Sequence, residues 1–313
     1  MGAKYLPAAS YRFDYYFCRM LVSVIIINYN TFQVTCDCIE STIKFTKNVP
    51  YEIILVDNAS PKDNPDDFLK RFPSITLIKS PENGGFAKGN NLGIRAAKGD
   101  LVLLLNSDTI LREDSISRAA EELALRPDVG AIGVRMVYPD GKIQKTARRF
   151  RGIKNELLDI CRPLLMLLPY KTRSQIMLNQ YFHCDYNTYC DWVIGAFMLI
   201  PKTLLDKLPE RKLDERFFMY GEDQLWCYQF LELGYKSYYI ADTTIVHLNN
   251  ASTEPEKQLK LLKLILKNEF IIMAYRKGKG LYYAVFKLIF TFKEMGRYYV
   301  KTFAYKLFGH RMR

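Results

Sequence analysis

The chain has 313 residues, of which 49% are hydrophobic and 25% charged, and this composition excludes a disordered or collagen-like protein. Seven scattered cysteines form no C-x-x-C pair, so we expect reduced thiols in a cytosolic protein, and three histidines are too few for a clustered zinc site. The net charge is +12, and residues 257–313 alone hold 14 Lys and Arg against two Glu. Residues 1–256 are therefore neutral overall, which predicts an anionic partner for the tail alone.

The segment before Met20 is aromatic and polar. Residues 1–20 contain no apolar run of the signal-peptide kind and are predicted to form an N-terminal extension. No run of about 20 apolar residues occurs elsewhere, which argues against a transmembrane helix.

Uninterrupted apolar runs predict buried strands that alternate with helices. The predicted strands of the first half are Leu21–Asn28, Glu52–Asp57, Ile75–Lys79, Leu101–Leu105 and Val129–Tyr138. The predicted helices between them are Phe32–Lys47, Ala87–Ala97 and Glu113–Arg126. This alternation predicts an α/β fold with a mostly parallel, Rossmann-like central sheet covered by helices on both faces.

The second half of the chain has a mixed pattern, and residues 145–190 are the least regular part. Beyond them we predict a strand over Trp192–Ile200, a helix over Glu222–Leu233 and a strand over Tyr235–Ile240. No linker separates the two halves, so one composite domain is expected over residues 21–255. A helix is predicted over Glu256–Tyr275, and residues 256–313 are expected to form a basic, helical tail.

Polar residues follow three of the predicted strands. The segments are Asn28–Asn30, Asp57–Asn58 and Asn106–Asp108. Ligands of parallel sheets bind beyond the carboxyl ends of the strands, so these segments are expected to meet in one pocket. Asp108 has the hard oxygen donors that Mg²⁺ or Mn²⁺ requires on a diphosphate. The alternative is that Asp108 caps the helix that follows.

A second acidic segment precedes the predicted helix at Glu222. The carboxylates of Glu222 and Asp223 follow a glycine at a helix start, where the helix dipole and backbone N–H groups keep a carboxylate ionised. Such a group can accept the proton of an attacking hydroxyl. The alternative is an ordinary acidic first turn. His247, near the end of a strand, is either a partly buried structural residue or a further metal ligand.

Six short motifs occur in an order that resembles glycosyltransferase family 2, and within it the rhamnosyltransferase-like bacterial branch. They are VSVIIINYN at residues 22–30, VDNAS at 56–60, NGGFAKGNNLG at 83–93, LNSD at 105–108, WVIGA at 192–196 and FFMYGED at 217–223. The resemblance covers about residues 21–252 and implies a GT-A fold. It also implies inverting transfer from a nucleotide-sugar, dTDP-rhamnose-like or a UDP-sugar, to a glycan or lipid-linked acceptor in cell-surface polysaccharide synthesis.

The resemblance also implies roles for individual residues. Asp223 would be the catalytic base, with Glu222 as its support or its alternative. Asp108 would end a D-x-D-type metal motif, and His247 would approach the metal or the diphosphate. The nucleotide-sugar would be bound by Asn28, Asn30, Asp57, Asn58, Asn83, Gly85, Asn91, Asn106, Asp108, Trp192 and Gly195.

The sequence departs from the family pattern at two places. The D-x-D motif is present as Asn106-Ser107-Asp108, so one carboxylate is missing. After Asp223, relatives commonly continue with another Asp and later an Arg, where Leu225 and Gln229 stand here. The identity of the acceptor therefore cannot be carried over from the family.

Two other functions compete with this interpretation. A sugar-nucleotide nucleotidyltransferase would carry a Gly-rich loop with Arg and Lys after the first strand, where this chain has Asn28–Asn30. A nucleic-acid-binding protein acting through the tail would leave the neutral first 256 residues unexplained, so no nucleic-acid partner is expected.

The tail, with Lys and Arg among aromatic residues, is expected to bind an anionic membrane surface and place the protein at the inner face of the cell membrane. The alternative is a helical hairpin packed on the catalytic domain with a solvated basic face.

Overall fold

The computed structural model describes residues 20–248 and 255–308. The predicted N-terminal extension, apart from Met20, lies outside the described residues. Contacts divide the described chain into two compact units. The first unit contains residues up to Arg148 and from His183 to the end of the last strand, and the second contains Arg149–Phe182 and the C-terminal helices.

The strands of the described residues all lie in the first unit. They are β1 (Val22–Asn28), β2 (Tyr51–Asp57), β3 (Thr76–Lys79), β4 (Leu101–Asn106), β5 (Thr109–Leu111), β6 (Val129–Val137), β7 (Ile143–Gln144), β8 (Ala147–Arg148), β9 (Thr188–Cys190), β10 (Trp192–Val193), β11 (Phe197–Pro201) and β12 (Lys236–His247). Its helices are α1 (Phe32–Phe45), α2 (Asp66–Arg71), α3 (Gly85–Ala96) and α4 (Ser115–Ala124), and then, later in the chain, α9 (Lys202–Leu205) and α10 (Glu222–Glu232), with a 3₁₀ turn at Pro209–Arg211.

The main sheet has the strand order β3-β2-β1-β4-β11-β6-β12-β5. Strands β3, β2, β1 and β4 are parallel neighbours, whereas β11 runs antiparallel to both β4 and β6. Strand β12 is parallel to β6, and the short β5 pairs antiparallel with β12. The predicted α/β fold with a mostly parallel sheet is confirmed.

Burial explains why the central strands have no polar alternation. In β1, Val22 to Ile26 are fully buried, and Val102, Leu103 and Leu104 of β4 are fully buried as well. A parallel sheet covered on both faces leaves no strand position in water, so apolar residues are favoured at successive positions. Each fully buried aliphatic side chain contributes roughly 1.5–3 kcal/mol of transfer free energy.

The single strand predicted over Trp192–Ile200 is wrong. The segment is broken into β10 and β11 by a turn at residues 194–196. Trp192 pairs with Arg148 in a separate two-stranded sheet, while Phe197 pairs with Leu105 of β4. The break is hidden in the sequence because both halves are apolar and only Gly195 marks it.

Two further boundaries differ from the prediction. The helix predicted from Glu113 begins at Ser115, where Asp114 caps it by accepting a hydrogen bond from the Ser117 N–H. The strand predicted to end at Ile240 continues to His247, with an irregular register between Ile240 and Thr244. This longer strand carries His247 to the edge of the sheet where β1, β2 and β4 end.

The second unit is helical within the described residues. It contains α5 (Ile153–Ile160), α6 (Arg162–Leu165), α7 (Tyr170–Ile176), α8 (Leu178–Tyr181), α11 (Pro255–Lys277) and α12 (Leu281–Phe308). The sequence interpretation placed Arg149–Phe182 in the catalytic domain, but these residues pack with the C-terminal helices. Arg151, for example, pairs with Glu156 and Glu269. Across the described residues, no helix is both long and apolar enough to cross a bilayer.

Candidate active site

The carboxyl ends of β1 and β2 are joined by the side chain of Asn28. Its Nδ2 donates to Asp57 Oδ1 at 2.8 Å and to Ser60 Oγ at 3.0 Å. Its Oδ1 accepts from the Thr31 and Thr35 hydroxyls, each at 3.0 Å. Because this buried amide is satisfied on both sides, Asn28 fixes the shape of the strand end and orients the neighbouring carboxylate.

Asp57 and Asn30 form the rim of this strand end. Asp57 is buried, and its Oδ2 accepts the Ser60 N–H at 3.0 Å. Asn30 has a positive φ of 56°, and its N–H donates to Ser60 Oγ at 2.9 Å. Asn30 Oδ1 accepts the Lys62 N–H at 3.0 Å, so Asn30 holds the two loops together at the pocket rim.

Asn58 connects β2 to the glycine-rich turn before α3. Its Nδ2 donates to Asn83 Oδ1 at 2.9 Å and to the Gly85 carbonyl at 3.2 Å. Gly85 has φ +81°, and a Cβ there would lie 2.4 Å from the Phe218 carbonyl oxygen. Only glycine permits this approach, and the Phe86 N–H donates to the same carbonyl at 3.0 Å. The turn therefore touches the loop that leads to Glu222.

Asn91 holds the start of the loop that leads to Glu222. It is buried, and its Nδ2 donates to the Leu213 carbonyl at 2.9 Å and to Glu215 Oε1 at 2.8 Å. Its Oδ1 accepts the Leu213 N–H at 2.9 Å. The three bonds fit a positioning role of Asn91 toward the acidic segment, and its assignment to donor binding stays a prediction.

Asp108 and His247 lie against each other at the end of β12. His247 Nε2 is 3.3 Å from Asp108 Oδ1. The other ring nitrogen, Nδ1, lies 2.8 Å from Gln144 Oε1, and Gln144 Nε2 donates to the His247 carbonyl at 2.6 Å. Because Gln144 Nε2 donates to the His247 carbonyl, Gln144 Oε1 accepts from Nδ1–H, and Nε2 is left to face Asp108.

This arrangement fits a divalent cation. His247 Nε2 and Asp108 Oδ1 face each other, and a proton or a cation between them would hold the two atoms together. Neighbouring ligands of an octahedral Mg²⁺ or Mn²⁺ lie about 3 Å apart, close to the separation of the two atoms here. One carboxylate and one imidazole leave coordination positions for diphosphate oxygens and water. Gln144 would then orient the histidine ligand through its second nitrogen, as metal-site partners commonly do.

The turn between β10 and β11 lies next to the end of β4. The Ala196 carbonyl accepts the Asn106 N–H at 3.0 Å, and the Gly195 N–H donates to Asp223 Oδ2 at 3.2 Å. A Cβ on Gly195 would lie 2.9 Å from the Phe86 ring, so glycine keeps this contact open. Asp223 is thereby linked, through one turn, to the strand end that precedes Asp108.

The two acidic residues at the start of α10 have different environments. Asp223 accepts the Gly195 N–H and the Gln224 N–H, the latter at 2.8 Å, and both donors stabilise a negative charge. Glu222 is buried, and within the described residues its Oε2 has no hydrogen-bond partner. Burial, together with the charge of Asp223, raises the pKa of Glu222 to about 8. At neutral pH, this raised pKa favours the protonated form of Glu222.

This difference predicts a pH-dependent stability. The pKa of Glu222 rises from 4.5 to about 8, so between these values the folded protein retains a proton that the unfolded chain releases. The free energy of unfolding therefore falls as pH rises through that window. We expect Glu222→Gln to raise the free energy of unfolding by on the order of 2–4 kcal/mol at pH 8.5. The gain should be small at pH 5, and an equal gain in urea melts at both pH values would contradict this account.

The structure thus brings most of the predicted site residues to one edge of the sheet. Trp192 is buried, pairs with Arg148 and has that guanidinium 5.1 Å from its ring centre, which gives it a structural role beside the turn. The two positions that depart from the family pattern face inward, because Leu225 is fully buried and Gln229 donates to Asp214. The sequence interpretation missed Gln144, which no motif contains.

The comparisons with known proteins agree with this arrangement of an α/β enzyme. The sequence matches the family description Glycosyl transferase family 2 over residues 23–190, more than half of its length, and the chain belongs to this family. The family assigned from the six motifs, and the enzyme class of glycosyltransferase, are confirmed.

Two relatives in sequence and one solved structure are similar to this chain. The chain is 26% identical over 178 residues to the uncharacterized glycosyltransferase YwdF of Bacillus subtilis, covering 55% of this chain and 66% of YwdF, just under two thirds. It is 24% identical over 216 residues to the N-acetylglucosaminyl-diphospho-decaprenol L-rhamnosyltransferase of Mycobacterium tuberculosis, covering 65% of this chain and 68% of that protein. The solved structure of mannosyltransferase PcManGT from Pyrobaculum calidifontis, in complex with GDP-Man and Mn²⁺, matches with a TM-score of 0.59 at 16% identity, over 92% of this chain and 76% of that one. The last likeness concerns the fold, and it supports the predicted GT-A architecture.

Proposed function

We propose that this chain is an inverting, divalent-cation-dependent glycosyltransferase that acts in cell-surface polysaccharide synthesis. Its donor would be a nucleotide-sugar, dTDP-rhamnose-like or a UDP-sugar, and its acceptor a hydroxyl of a glycan or a lipid-linked sugar. The observation that carries the proposal is the link from Asp223 through Gly195 and Ala196 to Asn106, two residues before Asp108. A carboxylate suited to accept a proton is thus linked, through one turn, to the strand end that leads to a carboxylate suited to hold a cation.

The donor would bind across the ends of β1, β2 and β4. Asp57 and the Asn28–Asn30 segment would contact the nucleotide base. Hydrogen bonds with Asn28 and Ser60 fix the Asp57 carboxylate and the Asn30 backbone at the ends of β1 and β2. Asp108 and His247 would hold the cation, with diphosphate oxygens as further ligands. A divalent cation bound there supplies charge neutralisation for the departing diphosphate.

Asp223 would act on the acceptor. Its carboxylate accepts the proton of the acceptor hydroxyl while the hydroxyl oxygen forms a bond to the anomeric carbon. The bond from that carbon to the diphosphate oxygen breaks on the opposite side, so the configuration inverts. Glu222, protonated at neutral pH, adds no second negative charge that would compete for the proton.

An exposed loop next to these residues suits a sugar acceptor. Phe218, Met219 and Tyr220 are each 42–58% exposed, directly before Gly221 and the two acidic residues. Aromatic faces exposed beside a polar pocket commonly bind the apolar faces of ligands. The named relative from M. tuberculosis acts on a decaprenol-linked sugar, and we extend an acceptor of this kind to the present chain as part of the proposal.

A lipid-linked acceptor would place the enzyme at a membrane, and we propose the inner face of the cell membrane as its location. The basic surplus of residues 257–313 supports this choice, since anionic lipids attract clustered Lys and Arg.

A thermal-shift screen tests the proposed donor class. We expect UDP- or dTDP-sugars to raise the melting temperature in the presence of Mn²⁺ or Mg²⁺, because a ligand that binds only the folded state stabilises it. The shift should be much smaller when EDTA replaces the cation. A nucleoside triphosphate that stabilises the protein while nucleotide-sugars do not would overturn the proposal in favour of a nucleotidyltransferase.

A further inference from the structure

Helix α12 presents a row of large apolar side chains to solvent. We call this row the apolar stripe, and its members are Leu281, Val285, Leu288, Phe292, Tyr299 and Phe303. Their exposed fractions reach 81% for Leu281, 72% for Leu288 and 82% for Phe292. The residues recur at intervals of three, four or seven, so they lie on one face of the helix over about 33 Å of its length.

The opposite face of α12 is packed inside its own unit. Phe286 and Phe290 are fully buried and stack on each other, with ring centroids 5.4 Å apart. Lys293 is buried as well and pairs with the carboxylates of Glu156 and Asp159. The helix is therefore held firmly from one side, and the apolar stripe is its free side. Exposure of so much contiguous apolar surface marks an interaction site.

Charge identifies the kind of partner. The segment from residue 257 onward has 14 Lys and Arg and two Glu, and Lys277 and Lys279 are exposed directly before Leu281, the first residue of the apolar stripe. A second copy of the chain would bring two segments of +12 together, which their mutual repulsion opposes. An anionic lipid surface instead offers negative headgroups for the lysines and an acyl region for the stripe.

We infer that α12 docks along its side on an anionic bilayer, with the apolar stripe inserted among the lipids. The helix lies in the plane of the surface, because its other face is occupied by its own unit. The inference adds the binding face and the binding mode to the membrane location proposed above. It rests on the proposed function only for its purpose, which is to hold the enzyme where a lipid-linked acceptor resides.

Insertion and simple electrostatic attraction differ in their response to salt. Attraction between surface charges is largely screened as salt rises from about 0.1 M to 0.5 M. Burial of apolar side chains is not weakened by this change. Membrane binding that survives high salt and depends on the stripe therefore identifies insertion.

Flotation of the full-length protein with vesicles tests the inference without donor or acceptor. The vesicles contain phosphatidylcholine with about one third phosphatidylglycerol, and binding is measured at about 0.1 M and 0.5 M NaCl. We expect the unaltered protein to float at both salt concentrations. The double variant Leu288→Ser/Phe292→Ser should lose at least about tenfold in partitioning, because both side chains would otherwise bury apolar surface in lipid.

A matched control uses exposed leucines of the first unit. Leu125 and Leu231 are 55% and 44% exposed, and Leu125→Ser/Leu231→Ser should float like the unaltered protein. Since all four substituted side chains are exposed, circular dichroism and melting temperature should show both variants folded. Equal flotation of the stripe variant, or complete release of the unaltered protein at high salt, would overturn the inference. So would sedimentation that shows a dimer of the unaltered protein lost in the stripe variant.

These outcomes separate the two proposals. A protein that floats as expected but shows no stabilisation by nucleotide-sugars retains the membrane inference and loses the proposed function. A protein that binds nucleotide-sugars with a cation but fails to float loses the inference about α12 and the proposed membrane location, and it retains the proposed glycosyltransferase activity.

Discussion

Asp223→Asn is expected to lower the rate of sugar transfer at pH 7 by about 10²–10⁴-fold, the typical contribution of a general base. Donor binding should be nearly unchanged, because Asp57, Asp108 and His247, which would hold the nucleotide and the cation, are not altered, and an asparagine oxygen can still accept the Gly195 N–H. Steady-state transfer rates, with donor affinity measured separately by calorimetry, check both parts. The loss should therefore appear in kcat and leave the dissociation constant of the donor in place.

The neighbouring carboxyl provides the control. An asparagine oxygen can still accept the Gly195 N–H, so the fold of the turn should survive the change at Asp223 while the proton acceptor is removed. Glu222→Gln should retain most of the activity at pH 7, since burial keeps the pKa of Glu222 near 8 and its side chain is already neutral there. Near-normal transfer by Asp223→Asn, or a larger loss in Glu222→Gln, would show that the base has been assigned to the wrong carboxylate.

The sheet could be predicted because each of its central strands is dictated locally. Val22–Asn28 and Leu101–Asn106 are buried on both faces, and an apolar run of that length between polar turns has few other stable arrangements. The polar residues that end these strands then had to share one edge, since parallel neighbours align their carboxyl ends. In the observed register Asn28 pairs with Asp57, and Ile27 pairs with Asn106.

The parts that were missed depend on contacts between residues distant in sequence. Gln144 belongs to no motif. Its role depends on the hydrogen bond to His247, which is 103 residues away along the chain. The break at Gly195 is set by the Phe86 ring and by the Asp223 carboxylate, neither of which is visible in a local apolar pattern. Residues 149–182 were assigned by their place in the chain, but the ion pairs of Arg151 and Glu156 connect them to the C-terminal helices.

The motifs locate the residues of the candidate site, but they do not say what each residue does there. Asn91 stands in a glycine-rich motif and was assigned to the donor, yet its amide is fully engaged with Leu213 and Glu215. Asn28 likewise uses its amide within the protein. Residues that shape a pocket are as constrained in type as residues that touch the ligand, so a motif by itself does not separate the two roles.

Asp108→Ala is expected to weaken Mn²⁺ binding in the presence of UDP by more than about 100-fold, because it removes the carboxylate that lies beside His247 Nε2. Mn²⁺ electron paramagnetic resonance with UDP measures this affinity directly, without any transfer reaction. Cation-dependent hydrolysis of the donor should be lost in the same variant. The protein itself should remain folded, since Asp108 is partly exposed and lies outside the core.

Two further variants decide whether the loss is specific to the proposed ligand set. Gln144→Leu removes the acceptor for His247 Nδ1–H, and we expect Mn²⁺ affinity to fall by about 10–100-fold, the usual effect of losing a partner that orients a metal ligand. Asp140→Ala removes an exposed carboxylate that pairs with Lys142, and Mn²⁺ affinity should be unchanged. An unchanged Mn²⁺ affinity in Asp108→Ala would exclude Asp108 as a ligand. If Mn²⁺ affinity falls in Asp108→Ala but not in Gln144→Leu, Asp108 is a ligand and His247 is not. Release of a ligating imidazole from the residue that orients it would have weakened Mn²⁺ binding.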